Sequence, residues 1–223
     1  RFRAFSPLRD LTYVQQNTGM GPNDASNRFG EIIQASLNVI TAHCHRLYVS
    51  PGLGAFVKTT DQEIESTIGP IYAVVSGIAT TTLDPTRRII ARGENALTED
   101  DLRREHPQLE QLMRTDVTMS VIGHLDSGRP CQYLPPFPPR IHTFVYKCEP
   151  EEIRRFTNQL NFINLLAQFP DPATDDVIAA CLREAALSHD EPKTFLEGAG
   201  KSVASLFGDN TQRIREILRR LPI

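Results

Sequence analysis

What most limits the folds open to this chain is a rhythm. Between residues 29 and 92, short runs of β-branched and aromatic residues alternate with turn formers. Turn signals every ~8–12 residues are the mark of short antiparallel strands closing a small barrel. Gly30 to Ser36 reads as a first strand and Asn38 as the turn after it. Val39 to Tyr48 reads as a second strand, Pro51-Gly52 as a turn, and Leu53 to Thr59 as a third strand. Ile71 to Thr82 is a fourth, in which Gly77 suits the bulge or bend that a small barrel needs.

The period then changes. Thr98-Glu99-Asp100-Asp101 resembles a helix-capping box, with the Thr98 hydroxyl accepting from a free backbone N–H. Pro107 breaks or restarts this helix, and Leu109, Leu112 and Met113 give it an apolar face. Val117 to Leu125 returns to strand, and Ile141 to Tyr146 reads as the last strand. Between them, Pro135-Pro136-Phe137-Pro138-Pro139 cannot join a central ladder, because proline lacks the donor. That run is read as polyproline II, either a ligand for an aromatic groove or, preferred here, a rigid connector packed on its own domain.

From Glu149 onward helical spacing takes over. Pro150 suits a first helical turn, and Glu151 and Glu152 complement its positive end. Further helices are expected near Phe162–Gln168, Asp175–Leu187, Pro192–Phe207 and Thr211–Leu221. The last places Ile214, Ile217, Leu218 and Leu221 on one face and Arg213, Arg215, Arg219 and Arg220 elsewhere. The expected fold is α+β: an arm over 1–28, a barrel over 29–148 with a helical insertion near 98–114, and a helical region over 149–223. The arm lacks periodicity, and Phe2, Phe5, Leu8, Leu11 and Tyr13 are spaced as anchors.

The 223 residues are 40% apolar and 23% charged, enough for a sizeable core. The net charge of −3 gives no general attraction to nucleic acid or anionic membrane. No run approaches the ~18 apolar residues of a membrane span, and residues 1–27 contain no apolar signal-peptide core. A cytoplasmic location with Cys44, Cys131, Cys148 and Cys181 reduced is expected.

No complete site emerges. Gly198-Ala199-Gly200-Lys201-Ser202 resembles the end of a phosphate-binding loop, but Phe195 stands where its first glycine belongs. The flanks make it one amphipathic helix with small residues at a packing contact. His43-Cys44-His45 is the most metal-like cluster, because His43 and His45 share a strand face. His124, His142 and Cys131 are further donors, with no spacing that demands them, so the histidines are read as barrel-surface residues. Nothing marks a thiol as an activated nucleophile, and no GxSxG elbow occurs. Asp100, Asp101, Asp175 and Asp176 fall in first turns, where capping and the helix dipole account for them. No catalytic, cofactor-binding or metal residue is assigned.

Residues 29–82 resemble the HAS barrel, which opens HerA-type DNA-translocating ATPases and the catalytic subunits of rotary ATP synthases. The features shared are Phe29-Gly30-Glu31-Ile32-Ile33 opening the barrel, Leu53-Gly54-Ala55-Phe56-Val57 with a turn glycine before a strand, and Ile71-Tyr72-Ala73-Val74-Val75. Leu83-Asp84-Pro85-Thr86-Arg87-Arg88 and the stretch Tyr133 to His142 look like a cyanobacterial family of HAS-barrel proteins. The ATPases carry a full phosphate loop after the barrel and this chain does not, so the resemblance implies the barrel's role in subunit contacts and ring assembly without the motor. The function expected is a non-catalytic protein-interaction or assembly module that binds a protein partner or itself. The alternative is an accessory factor in nucleic-acid processing, with support from the arginines of the last helix and from Arg87, Arg88 and Arg92. An unrecognised enzyme is the third reading.

Overall fold

The computed structural model describes residues 27–59, 68–84, 86, 88–94, 97–169, 173–208 and 210–221. The anchors Phe2 to Tyr13 and Arg87 lie outside these residues. Seven strands are present: β1 (Arg28–Ala35), β2 (Val39–Cys44), β3 (Phe56–Thr59), β4 (Ile68–Thr82), β5 (Met113–Asp126), β6 (Arg129–Cys131) and β7 (Phe144–Lys147). Their order is β2-β1-β7-β3-β4-β5-β6, and β2 also pairs with β5. That last pairing closes a six-stranded antiparallel barrel, with β6 appended to the far end of β5. The register of β4 against β5 slips by one residue between Val75 and Gly77, a bulge at the glycine singled out in the sequence.

Alternation along the strands gives the barrel wall two apolar faces. Ile32, Ile40, Ala42, Val57, Ile71, Ala73, Val75, Val117, Met119, Val121 and Val145 fill the interior. They leave no void that would hold a water molecule, so the barrel is a packed core and not a calyx. Phe56, Tyr72, Val74 and Ile122 point outward from β3, β4 and β5 and begin a second core.

Helices cover that outer face. Between β4 and β5 stand α1 (Glu99–Glu105) and α2 (Gln108–Gln111), neither with a buried residue. Thr98 caps α1, its hydroxyl accepting from Asp101 N at 3.1 Å. After β7 come α3 (Pro150–Phe156), α4 (Phe162–Ala167), α5 (Thr174–Ala186), α6 (Pro192–Phe207) and α7 (Thr211–Arg219). Glu149 and Glu152 form a reciprocal capping box on α3, and Glu152 also pairs with Lys58 of β3 at 2.6 Å. The central helix is α5. Val177, Ile178, Ala179, Ala180, Cys181, Leu182 and Ala185 are buried around much of its circumference, as a helix enclosed by others and by a sheet requires. Among the described residues no helix is long and apolar enough to cross a membrane.

Several strand limits differ from the sequence reading: β3 starts at Phe56 and not at Leu53, β4 starts at Ile68 and not at Ile71, and three more differences have a visible cause. β2 stops at Cys44 because the chain turns, and Tyr48 has φ +62°. β7 starts at Phe144, since His142 has φ +68° and Ile141 is half-exposed. Met113 and Arg114 belong to β5 and not to the preceding helix. Two of the four arginines on the last helix are likewise more engaged than a solvated face would be, while Arg215 and Arg219 are exposed. Arg213 pairs with Asp175 at 2.7 Å and lies 4.2 Å over the Phe207 ring, and Arg220 pairs with Asp176 at 2.7 Å. The two aspartates therefore hold α7 against α5. The residue at the N-cap position of α5 is Ala173, which has no side chain to cap with.

The turn glycine before β3 turns out to be a contact point. Gly54 has φ +81°, and a Cβ there would lie 2.5 Å from Ala180 of α5. Gly54→Ala combines backbone strain with overpacking and is expected to destabilise the fold by about 3 kcal/mol. Gly52→Ala, which meets nothing within 4 Å, is the neutral control. Denaturant titration of the two variants checks this.

His189, just after α5, bonds through Nε2 to Thr157 Oγ1 of the α3 end at 2.9 Å and stacks on Phe195 of α6 at 4.1 Å. Partial burial, then the Arg154 charge, lower its pKa below 6.5, against the weaker opposing effect of Asp190. The unfolded chain thus binds the proton more readily than the folded one. The stabilisation is complete above pH ~6.5 and declines as pH falls toward the lower folded value. In His189→Gln, denaturant titrations across this window should show a flatter pH dependence than in the wild type.

Candidate functional site

The β6–β7 connection, residues 132–143, is the surface feature built with most care. Its start is held by Gln132. The Nε2 group donates to Phe156 O at 2.6 Å and to Gln159 O at 2.8 Å, and Oε1 accepts from Phe162 N at 3.1 Å. One side chain thereby satisfies three backbone groups at the α3–α4 junction. Leu134 then packs against the barrel interior cluster, and Pro135 is buried. At the far end Pro139 is buried, and His142 N donates to Ile32 O at 2.9 Å. Ile32 N donates to Thr143 O at 3.0 Å, and His142 Nδ1 lies 3.0 Å from Glu31 Oε2.

Between these clamps the chain stands proud of the surface. Phe137 is 72% exposed and Tyr133 58%, and Ile141 is half-exposed. The Tyr133 ring meets the buried His124 ring edge-on at 5.2 Å, and its carbonyl lies 3.3 Å from His124 Nδ1. Arg129 and Arg140 flank the stretch, both exposed, and no carboxylate occurs between Ser127 and Cys148. The result is an exposed aromatic stretch with arginines at its ends, tied to the body at both of its ends. Of the two readings of the proline run, its outer residues fit the connector, while its middle is presented to solvent.

The other candidates are dispersed. His43 bonds to Asp116 at 3.0 Å, while Cys44 is buried in the barrel core. His45 lies beyond β2, edge-on to Phe144 at 6.2 Å. His124 sits with Tyr133, and His142 with Glu31. Among the described residues no group of three His, Cys, Asp or Glu is placed to hold a metal ion. Gly198 to Ser202 lies inside α6, with Ser202 Oγ donating to Gly198 O at 3.2 Å and Ala199 and Gly200 buried. Its N–H groups belong to a helix and do not line a loop. Asp100 and Asp101 pair with Arg103 and Arg104. Arg88 and Arg92 are exposed on the β4–β5 connection. Gln132 went unmarked in the sequence, since its partners lie 24 to 30 residues further on.

Burial makes three of the four thiols poor nucleophiles. It pushes Cys44 up to about 11, with Asp116 adding to the effect, and Cys181 up to about 12. Cys148 is raised well above 9.0, burial again being the main cause. Cys131 alone of the four is only half-buried. In the native protein a chromogenic disulfide reagent should react promptly with Cys131, and with the other three only on unfolding. Prompt release of more than one equivalent would contradict these environments. No known family's sequence profile matches the chain, and no curated protein matches it either.

Proposed function

We propose that this chain is a non-catalytic protein-docking module built on a HAS-like barrel, with the β6–β7 loop as its contact element. The observation that carries the reading is Phe137, 72% exposed at the tip of a loop whose two ends are bonded to the body. An aromatic side chain held out on a fixed backbone loses little entropy when it enters a pocket. Aromatic and arginine side chains also dominate binding energy at interfaces. Arg129 and Arg140, exposed at either end of the proline-rich stretch, favour a partner surface with an apolar pocket and an acidic rim. The nucleic-acid accessory role has weaker support, because Arg213 and Arg220 are spent on Asp175 and Asp176.

Phe137→Ala is expected to leave stability within ~0.5 kcal/mol, since the ring packs on little. It should abolish partner capture. Replacing Phe137 with a photoreactive benzoylphenylalanine in the source organism should give one discrete crosslinked partner, suppressed by excess wild-type protein. A folded photoreactive variant that yields no discrete adduct would sink the proposal.

A further inference from the structure

Where the helical layer tapers off over the barrel, a crevice of about 100 Å³ remains between β2, β4, β5 and the helices α4 and α5. Its floor follows from strand alternation. Ile40, Val75, Val117, Met119 and Val121 point into the barrel, so Val39, Thr118 and Ser120 point out. Ser76, at the bulge, joins them. The roof is Leu166, Phe169 and Val177. Two hydroxyls at the site are satisfied from within, Ser76 Oγ by Thr118 O at 3.3 Å and Thr174 Oγ1 by Phe169 O at 3.0 Å. Ser120 is different. It is 5% exposed, lines the crevice, and its hydroxyl has no hydrogen-bond partner among the described residues. Its oxygen is open to the crevice, and the Thr118 hydroxyl beside it on the floor likewise makes no bond to a described residue, so a mainly apolar pocket offers two free hydroxyls to orient a ligand.

We infer that this crevice is a binding site for a small neutral molecule with one hydroxyl or amide head and a short branched hydrocarbon body. The head meets Ser120 Oγ and Thr118 on the floor, and the body meets Leu166, Phe169 and Val177. Neutrality follows from the lining, which contains no charged side chain. Size follows from volume: a cavity of ~150 Å³ admits benzene, so this one encloses about four heavy atoms. The site is separate from the β6–β7 loop and stands or falls independently of the docking role.

The test uses the full chain with methyl-labelled Val and Leu, 2-propanol as the polar probe and xenon as the apolar one. Titration with 2-propanol should give saturable shifts in the millimolar range, confined to the methyls of Val39, Leu166 and Val177. Ser120→Ala should weaken 2-propanol binding about five- to tenfold, the loss of one hydrogen bond, and leave xenon binding within twofold. Val177→Phe, which fills the crevice, should abolish both. The methyl spectrum of each variant reports whether it is folded. Shifts that are linear in 2-propanol, that spread over exposed methyls, or that persist unchanged in Ser120→Ala would overturn the site. So would xenon binding without 2-propanol binding, which would mark a dry apolar gap.

Discussion

The pairing of Val39–His43 with Asp116–Ser120 is the interaction on which the rest of this structure depends. Without it the strands would form an open sheet with two edges, each presenting unpaired N–H and C=O groups. With it, the barrel strands form a ring, and the ring fixes what the interior must be. Six strands enclose a space that Ile, Val, Ala and Met side chains fill completely. The interior thereby has no room for a ligand, and the barrel meets the rest of the chain through its outer face and its connections.

The wall itself serves two cores. Val57, Ala73, Val75 and Val121 face inward, while Phe56, Tyr72, Val74 and Ile122, their neighbours along the chain, face the helices. A strand buried on both faces cannot alternate apolar with polar, and β3 and the middle of β4 read accordingly as near-continuous apolar runs. Polar residues appear where that double duty ends. Ser76, Thr118 and Ser120 lie at the border of the helical layer, and Lys58 reaches Glu152 at the edge of α3.

Much of this was legible in the chain. α6 runs over Pro192–Phe207 as its spacing predicts, because a proline at one end and a glycine after the other punctuate an amphipathic pattern. The bulge at Gly77 and the Thr98 cap were legible for the same reason: local chemistry decides them. What depends on distant partners was not. β6 is three residues, Arg129-Pro130-Cys131, and only β5 makes it a strand. Ile141-His142-Thr143 has strand composition, yet its backbone turns at His142 so that both it and Thr143 can bond Ile32. Gly54 is readable as a turn, but nothing nearby in sequence announces Ala180. The clamp on the β6–β7 loop fails to show for the same cause, since a lone glutamine has no pattern to betray it.

That clamp also sets a path for mechanical load. Gln132 bonds to the carbonyls of Phe156 and Gln159 and to the amide of Phe162, so the loop's first end is tied to the helical layer. Its second end is tied to the barrel through Ile32. A pull on Phe137 is therefore shared between the helical layer and the barrel wall. Tension on this one loop is thus met by both cores at once, and neither has to carry it alone.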